Sequence, residues 1–447
     1  MSTPTSRRDF LRNLAAASAA LSVPTLIHGD ALGLGDRPAP SKRIVMGSIG
    51  VGGLNPLGHD NQGSVLLKSF LSRREVQVAA VCDADAPHRQ RAQRYVEEHY
   101  GKAAAGGTSK GCAAYRDFRE IIRRRDIDAV LIALPDHWHC IPVIMAANAR
   151  RDIYAEKPLA LTVPEGRAMV EAVRRNGVVF QTGSQLRSVP FMRRGCELVR
   201  NGRIGKLHTV RAVFAASPAI GPQPEMPVPE GFDYDLWLGP APKAPYTVKR
   251  CHFNWRWIWD YSGGQVTDHG AHYCDLAQWG HGTERTGPVE VEGRGVFPQR
   301  GLFNAATSYH IEWTYGDGVK LIGDEKGREV VCVTFEGTEG WVHIGSRLEA
   351  EPKSLLTSVI GPKESRLPDV NDHHGNFLEC IRTRKTPLAP IEEAHRSATI
   401  CHIGNIAMKL GRKLRWDPAA ETFLDDAEAN RMLSRPMRSP YTLKEMA

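Results

Sequence analysis

The sequence predicts an α/β protein in two parts: a doubly wound parallel sheet, then a mostly antiparallel open sheet with its own helices. Three observations lead there. From Arg43 onward, short apolar runs alternate with amphipathic stretches of helical period, the pattern of strand–helix–strand units around a parallel sheet. The first run ends in a glycine turn, Gly50-Val51-Gly52-Gly53. After about Ser188 the chain changes character, and alternating strands are separated by stretches rich in Gly, Pro and Trp.

In order, 44–49, 76–82, 129–134, 153–155 and 178–181 read as strands. Their near-continuous apolar character suits strands covered on both faces. Helical stretches fall at 92–99, 118–125, 141–149 and 164–175, the last opened by Thr162 as N-cap with Pro164 and Glu165 in its first turn. A helix at 193–201 stops at Gly202, and strands follow at 207–215, 289–297, 308–315, 319–322 and 329–334. Helices at 377–384 and 395–409 close the fold, and the proline-rich stretch 218–229 reads as a loop over a cleft or a spacer. The divisions expected are 1–40 (leader and spacer), 41–187, 188–416 and a tail, 417–447.

Composition bounds the function. The chain has 447 residues, enough for two or three domains at roughly 150 residues each. Its net charge is 58 − 50 = +8, with 42% hydrophobic and 24% charged residues, which excludes a disordered or multi-span membrane chain. The longest arginine run, Arg123–Arg125, sits beside Asp126 and Asp128, and no basic stripe with interleaved aromatics points to nucleic acid. Arg7-Arg8-Asp9-Phe10-Leu11 precedes a modest apolar stretch over 14–27, too short to span a bilayer. This resembles a twin-arginine signal, implying use of that export machinery and a periplasmic or extracellular site. Nine scattered cysteines without Cys-x-x-Cys read as mostly buried thiols, leaving room for a disulfide or two.

The glycine turn carries the first chemistry. Gly50 and Gly52 have the spacing that lets a backbone turn tightly and approach a pyrophosphate at a helix N-terminus, the Rossmann fingerprint. The third position is Asn55, not glycine, and an apparent insertion follows. Asp83 ends the second strand, where a carboxylate bonds a ribose 2′-hydroxyl and repels a 2′-phosphate, favouring NAD over NADP. Gly50, Gly52, Gly53, Asn55 and Asp83 are thus the expected cofactor contacts.

Two further segments read as catalytic. Glu156-Lys157-Pro158 follows a parallel strand, at the end where ligands bind in open α/β sheets. A lysine buried there beside a nicotinamide ring is expected to lose proton affinity, which suits proton transfer. Asp268 and His272 are four apart and share one helical face, so the carboxylate can orient the imidazole; Asp275 is within reach of it too. No metal centre is expected, although Asp268, His269 and His272, with His137 and His139, form a grouping that could be read as one.

These residues, in this order, resemble the glucose–fructose oxidoreductase/inositol dehydrogenase/rhizopine catabolism (Gfo/Idh/MocA) family over 43–416. Pro135-Asp136-His137-Trp138-His139 and Trp259-Asp260-Tyr261-Ser262-Gly263-Gly264 resemble an exported bacterial branch of it. The resemblance implies that Lys157 assists proton transfer, His272 is the acid/base at a substrate hydroxyl and Asp268 binds or orients substrate. It also implies a dimer or tetramer, and hydride transfer between a sugar or cyclitol hydroxyl and NAD(P). Pro135, His137, His139, Glu156 and Lys157 are also expected on the cofactor, the two histidines at the nicotinamide. Gln185, Arg187, Arg256, Trp257, Asp260 and Tyr273 are expected at a carbohydrate, with indoles stacking on sugar faces. Trp255, Trp257 and Trp259, at every second position, fit one face of an extended segment. A redox-neutral NAD-dependent glycosidase or epimerase, and a non-catalytic sugar-binding protein, are the alternatives.

Overall fold

The computed structural model describes residues 38–54, 58–103, 111–327, 329 and 331–443. The twin-arginine segment and Asn55 lie outside the described residues.

The first domain is a six-stranded sheet, every pair parallel. Its strands are β1 (Ile44–Ile49), β2 (Val76–Cys82), β3 (Ala113–Tyr115), β4 (Ala129–Ile132), β5 (Asp152–Ala155) and β6 (Phe180–Thr182), in the order β3-β2-β1-β4-β5-β6. The order reverses between β1 and β4, which opens a crevice at the strands' carboxyl ends. The helices are α1 (Gln62–Leu71), α2 (Ala86–Ala103), α3 (Phe118–Arg123), α4 (Asp136–Asn148) and α5 (Val163–Asn176). α1 and α2 cover one face through Leu66, Phe70 and Val96. α3, α4 and α5 cover the other through Ile121, Ile144 and Met169. α5 starts as its sequence dictates: the Thr162 side chain accepts from the Glu165 N–H, and Gly177 ends it in the left-handed region. β3 is the strand of this domain that sequence reading missed, three half-buried residues with no apolar run to mark them.

The second sheet has nine strands: β7 (Leu207–Val213), β8 (Glu290–Val296), β9 (Ser308–Thr314), β10 (Lys320–Asp324), β11 (Cys332–Gly337), β12 (Gly340–Ile344), β13 (Leu348–Glu351), β14 (Leu414–Asp417) and β15 (Thr422–Phe423). They pair antiparallel except β10 with β7. Sequence reading missed β12 to β15 as well. The alternation of buried and half-exposed residues along β9 is that of a sheet with one covered face. The remaining helices used below are α6 (Pro190–Arg200), α7 (Tyr234–Leu238), α8 (Gln265–Asp268), α9 (Gly270–His281), α10 (His373–Thr383) and α11 (Ile391–Leu410). α6, α9 and α11 contribute to the core of this domain around Trp313 and Phe335.

The two domains interlock. Phe377 of α10 packs with Phe70 and Tyr154 of the first domain, and Ile391 of α11 enters the core on the opposite face of the first sheet. Between β7 and β8 the chain makes a long excursion that crosses back to the carboxyl end of β2: Asp85 bridges Phe232, Ala86 N donates to Gly231 O, and Asp233 N donates to Ala84 O. The C-terminal segment is not loose. Arg438 N donates to Pro240 O, and the Tyr441 ring packs edge-on against Trp138. No helix among the described residues is long and apolar enough to cross a membrane. All nine cysteines are free and buried.

Candidate functional site

A cleft of about 800 Å³ runs from the glycine turn across the carboxyl ends of the first sheet to residues 232–273 of the second domain's excursion. That lies within the range of small-molecule and cofactor sites. At one end, Gly50 and Gly52 have φ of +80° and +60°, a region that strongly favours glycine. A Cβ on Gly50 would stand 2.4 Å from the Ala133 carbonyl oxygen. The third glycine of the motif is also present, displaced. A Cβ on Gly63, in the first turn of α1, would stand 2.0 Å from the Gly50 carbonyl oxygen. Gly63 therefore supplies the close strand–helix packing that sequence spacing assigned to position 55. The insertion is 63 − 55 = 8 residues, pinched at its base where Leu54 bridges Asp60 and Asn61 N donates to Gly53 O. Subtracting it brings Asp83 from 31 to 23 residues after Gly52, close to the usual ~20.

Asp83 lines the cleft with its carboxylate fixed: Oδ2 accepts from Gly52 N at 2.8 Å and Oδ1 from Asp85 N at 3.0 Å. Burial pushes its proton affinity up, but the bond and charge of His88 and these two N–H donors more than reverse that, leaving it below the ordinary value. Gly53 does not line the cleft; a Cβ there would collide with His88 Nε2 at 2.2 Å, so its bareness makes room for that imidazole.

At the centre stands a pair joining the two domains. Lys157 follows β5, and its ammonium donates to Asp268 Oδ1 at 2.7 Å and to the Asp268 carbonyl at 2.9 Å. Asp268 ends α8, and its Oδ2 lies 3.4 Å from Arg256 Nε. Burial opposes ionisation of Asp268, yet the charges of Lys157 and Arg256 overcome it and hold the carboxyl well below the usual range. His269 and His272 occupy the next turn, both lining the cleft, and the Nδ1 atom of each is buried without a hydrogen-bond partner. So is Gln265 Oε1. Buried polar atoms without a partner are uncommon, and three of them cluster behind this wall of the cleft. Burial, reinforced by the Lys157 charge, lowers the proton affinity of His272 far below the ordinary imidazole value, so it is a neutral base near neutrality. Burial lowers His269 in the same direction.

Glu156 is buried and serves as a hub. Its Oε1 accepts from Gln62 Nε2 at 2.9 Å and Gln185 Nε2 at 3.1 Å, and its Oε2 from Lys157 N at 3.2 Å. Pro135 lines the sheet side of the cleft, and Arg256, Trp257 and Tyr273 line the other. Burial pushes the Tyr273 phenol up to about 12.

Besides Gly53, four expected contacts lie elsewhere. Arg187 is 1% exposed and away from the cleft: it makes two bonds to Asp275, at 2.6 and 2.7 Å, and a third to Glu393 at 2.5 Å. Asp275 is thereby spent on Arg187, not on His272. His137 bonds the Trp237 carbonyl at 3.1 Å and packs on Tyr261, because the start of α4 turns it into the aromatic core of the excursion. His139 is buried under the loop that carries Lys157, bonded to Pro158 O and Leu134 O at 2.8 Å each. Asp260 is exposed and borders a separate small cavity with Arg435 and Trp259. The tryptophan run is not extended either. Trp255 and Trp257 belong to a 3-10 turn, Asn254–Trp257, and both reach the cleft. Gln62, Gln265 and His88 also line it; nothing in local sequence marks them, since each sits in an ordinary helical first turn.

A family model described as the oxidoreductase family, NAD-binding Rossmann fold, matches residues 46–184, and the model of that family's C-terminal alpha/beta domain matches 220–443. A scyllo-inositol 2-dehydrogenase (NAD(+)) of Bacillus subtilis is 28% identical over 286 residues, 60% of this chain and 72% of that one. A glycosyl hydrolase family 109 protein of Saccharopolyspora erythraea is 33% identical over 175 residues, 37% of this chain and 36% of that protein. A myo-inositol 2-dehydrogenase of Thermotoga maritima is matched over 40% of its length, so several curated relatives are matched over well under half their length. Among solved structures, levoglucosan dehydrogenase in complex with NADH and levoglucosan superposes with a TM-score of 0.57 at 17% identity, covering 83% of this chain and 99% of the other. That likeness speaks for the fold.

Proposed function

This chain belongs to the Gfo/Idh/MocA oxidoreductase family and carries its NAD-binding Rossmann domain; from that premise we propose that it transfers a hydride between a carbohydrate or cyclitol hydroxyl and NAD. The observation that carries the reading is His272: a neutral, half-buried imidazole that lines the same cleft as the glycine turn and Asp83, one turn beyond the Lys157–Asp268 pair. The cradle fits a dinucleotide: side chains at Gly50 or Gly63 would collide with the backbone of the tight turn and the strand–helix contact, and Gly52 between them leaves bare backbone at the cleft for a pyrophosphate. When bound, NAD supplies the hydride acceptor. His272 takes the hydroxyl proton, Lys157 holds the oxygen in place and steadies its growing negative charge, and Asp268 with Arg256 keeps Lys157 aimed. Trp255 and Trp257 offer faces for a sugar ring.

The relatives named for inositol and levoglucosan favour a small polyol or sugar. A second reading rests on His269, a second unpartnered imidazole one turn from His272. Two bases over one ring suit a redox-neutral glycosidase or epimerase, and the family 109 relative supports that reading. The Lys157 and His272 side chains argue against a non-catalytic sugar-binding role. We further place the protein outside the cytoplasm by the twin-arginine route, as a dimer or tetramer; cell fractionation and sedimentation test these two points.

The experiment is a panel of sugars and cyclitols read by NADH absorbance, beside nitrophenyl glycosides with and without added NAD. Denatured protein is also assayed for released NAD. Lys157→Met and His272→Gln should each cut turnover by about 10²–10⁴ while the fold is kept. Folded variants with full activity would remove the assigned roles, and a protein that neither carries nor binds NAD would defeat the reading.

A further inference from the structure

One cluster of ligating side chains takes no part in this chemistry. Asp85, His88 and His252 each offer one donor atom, and these atoms lie within 4.8 Å of one another. His252 Nε2 is 3.9 Å from Asp85 Oδ2, and the two imidazoles meet edge-on with centroids 5.0 Å apart. Asp85 and His88 are three apart at the start of α2, so they face the same way. His252 comes from the far side of the molecule's long excursion, beyond the segment that bridges to Asp85. Its φ is +56°, a left-handed conformation uncommon for a non-glycine residue. It is held there against Phe232, ring centroids 5.4 Å apart.

We propose that Asp85, His88 and His252 form a divalent transition-metal site of the zinc class, which pins the excursion of the second domain to the ribose end of the cleft. Two imidazoles and one carboxylate are a donor set for zinc and its neighbours, whereas magnesium and calcium take oxygen ligands. Bonds of about 2.0–2.1 Å in tetrahedral geometry need donors roughly 3.4 Å apart. The three side chains must therefore close by roughly 0.5–1.4 Å, a small rotation of each ring. The surroundings suit a cation. Asp83 Oδ1 stands 3.8 Å from His88 Nδ1 and adds a second negative charge. The nearby cations are already engaged: Arg89 with the Asp83 carbonyl and Arg116 with Asp233. His88 and His252 line the cleft, leaving the fourth position open to water or to a ligand hydroxyl. The site binds metal whether or not the hydride chemistry assigned above is correct.

The test uses chelator-treated full-length protein titrated with Co²⁺ alone, read by its visible ligand-field absorption, then displaced by Zn²⁺. The expected result is saturation near one equivalent, a rise in melting temperature, and affinity weakened by at least ~10-fold in Asp85→Asn and in His252→Gln. Asp85 Oδ1 accepts from the His88 N–H at 3.3 Å, a helix cap that asparagine keeps, and the His252 side chain is one-third exposed, so both variants are chosen to fold; circular dichroism checks this, and His88→Gln replaces either that does not. Absence of a saturable cobalt spectrum from the folded wild-type protein overturns the proposal. So does an unchanged affinity in the folded variants, which would put the ion elsewhere.

Discussion

Replacing Arg187 by Met separates a structural from a substrate-binding role for the most buried arginine near the site. Its side chain is 1% exposed and faces Asp275 at 3% and Glu393 at 11%. It also bonds Leu388 O at 3.1 Å and lies over the Trp279 ring at 5.2 Å. Methionine fills much of the space but strips buried Asp275 of its cation and leaves Glu393 only the exposed Arg285, at 3.2 Å. Breaking such a buried pair costs about 3–5 kcal/mol. Against a typical total of about 5–15 kcal/mol, that is a large loss. Urea titration followed by tryptophan fluorescence measures it. Asp275→Asn added to Arg187→Met should restore part of the loss. A variant within about 1 kcal/mol of wild type but with a tenfold higher KM would refute the assignment and return Arg187 to the substrate.

Three further outcomes are expected. Gly63→Ala should weaken NAD binding and cost about 1–3 kcal/mol by overpacking, because its Cβ meets the Gly50 carbonyl oxygen at 2.0 Å; a variant that titrates with NAD like wild type would count against Gly63 as the third glycine. Asp83→Ser should lose about tenfold or more in NAD affinity and gain in NADP affinity, and fluorescence titration with both cofactors decides it. Because burial and the Lys157 charge hold His272 well below the ordinary imidazole value, kcat/KM for oxidation should not fall between pH 8 and 6.5; an acid limb centred near 6.5 would show a base with ordinary proton affinity.

Much of this was legible in the sequence, and the gaps have physical reasons. The strands β1, β2, β4 and β5 are continuous apolar runs because both faces are covered, and such runs cannot hide. The elements Lys157, Asp268 and His272 announce themselves by sitting where strand ends and helical spacing put side chains into a crevice. What failed was inference from proximity in sequence. His137 and His139 follow Pro135 at a strand end, yet the helix α4 that starts there turns both away, toward backbone carbonyls. Arg187 and Asp275 were read as separate site residues, but each is the other's counter-ion across 88 positions. The third glycine was sought at a fixed interval, while the fold needs only the contact between Gly63 and Gly50, and an eight-residue loop leaves that contact intact. Pairings at long separation leave no local signature, and they decided these cases.

The Lys157–Asp268 pair shows how that long-range geometry becomes chemistry. Lys157 belongs to the first domain and Asp268 to the second, 268 − 157 = 111 positions on, with side chains only 15% and 12% exposed. The pair exists only when the domains are docked, so the ammonium reaches His272's surroundings only then. There it acts on two neighbours at once: it favours the charged form of Asp268 and disfavours the charged form of His272. Lys157→Met should therefore do more than slow turnover. Burial still depresses His272, but the cation's share is gone, so its proton affinity rises and the acid limb of the residual kcat/KM moves to higher pH. Asp268→Asn removes a negative charge that raises His272, and its acid limb should move the other way. A residue that merely props the loop would lower the rate in both variants and leave both limbs in place, and that result would reduce Lys157 from an electrostatic participant to a spacer.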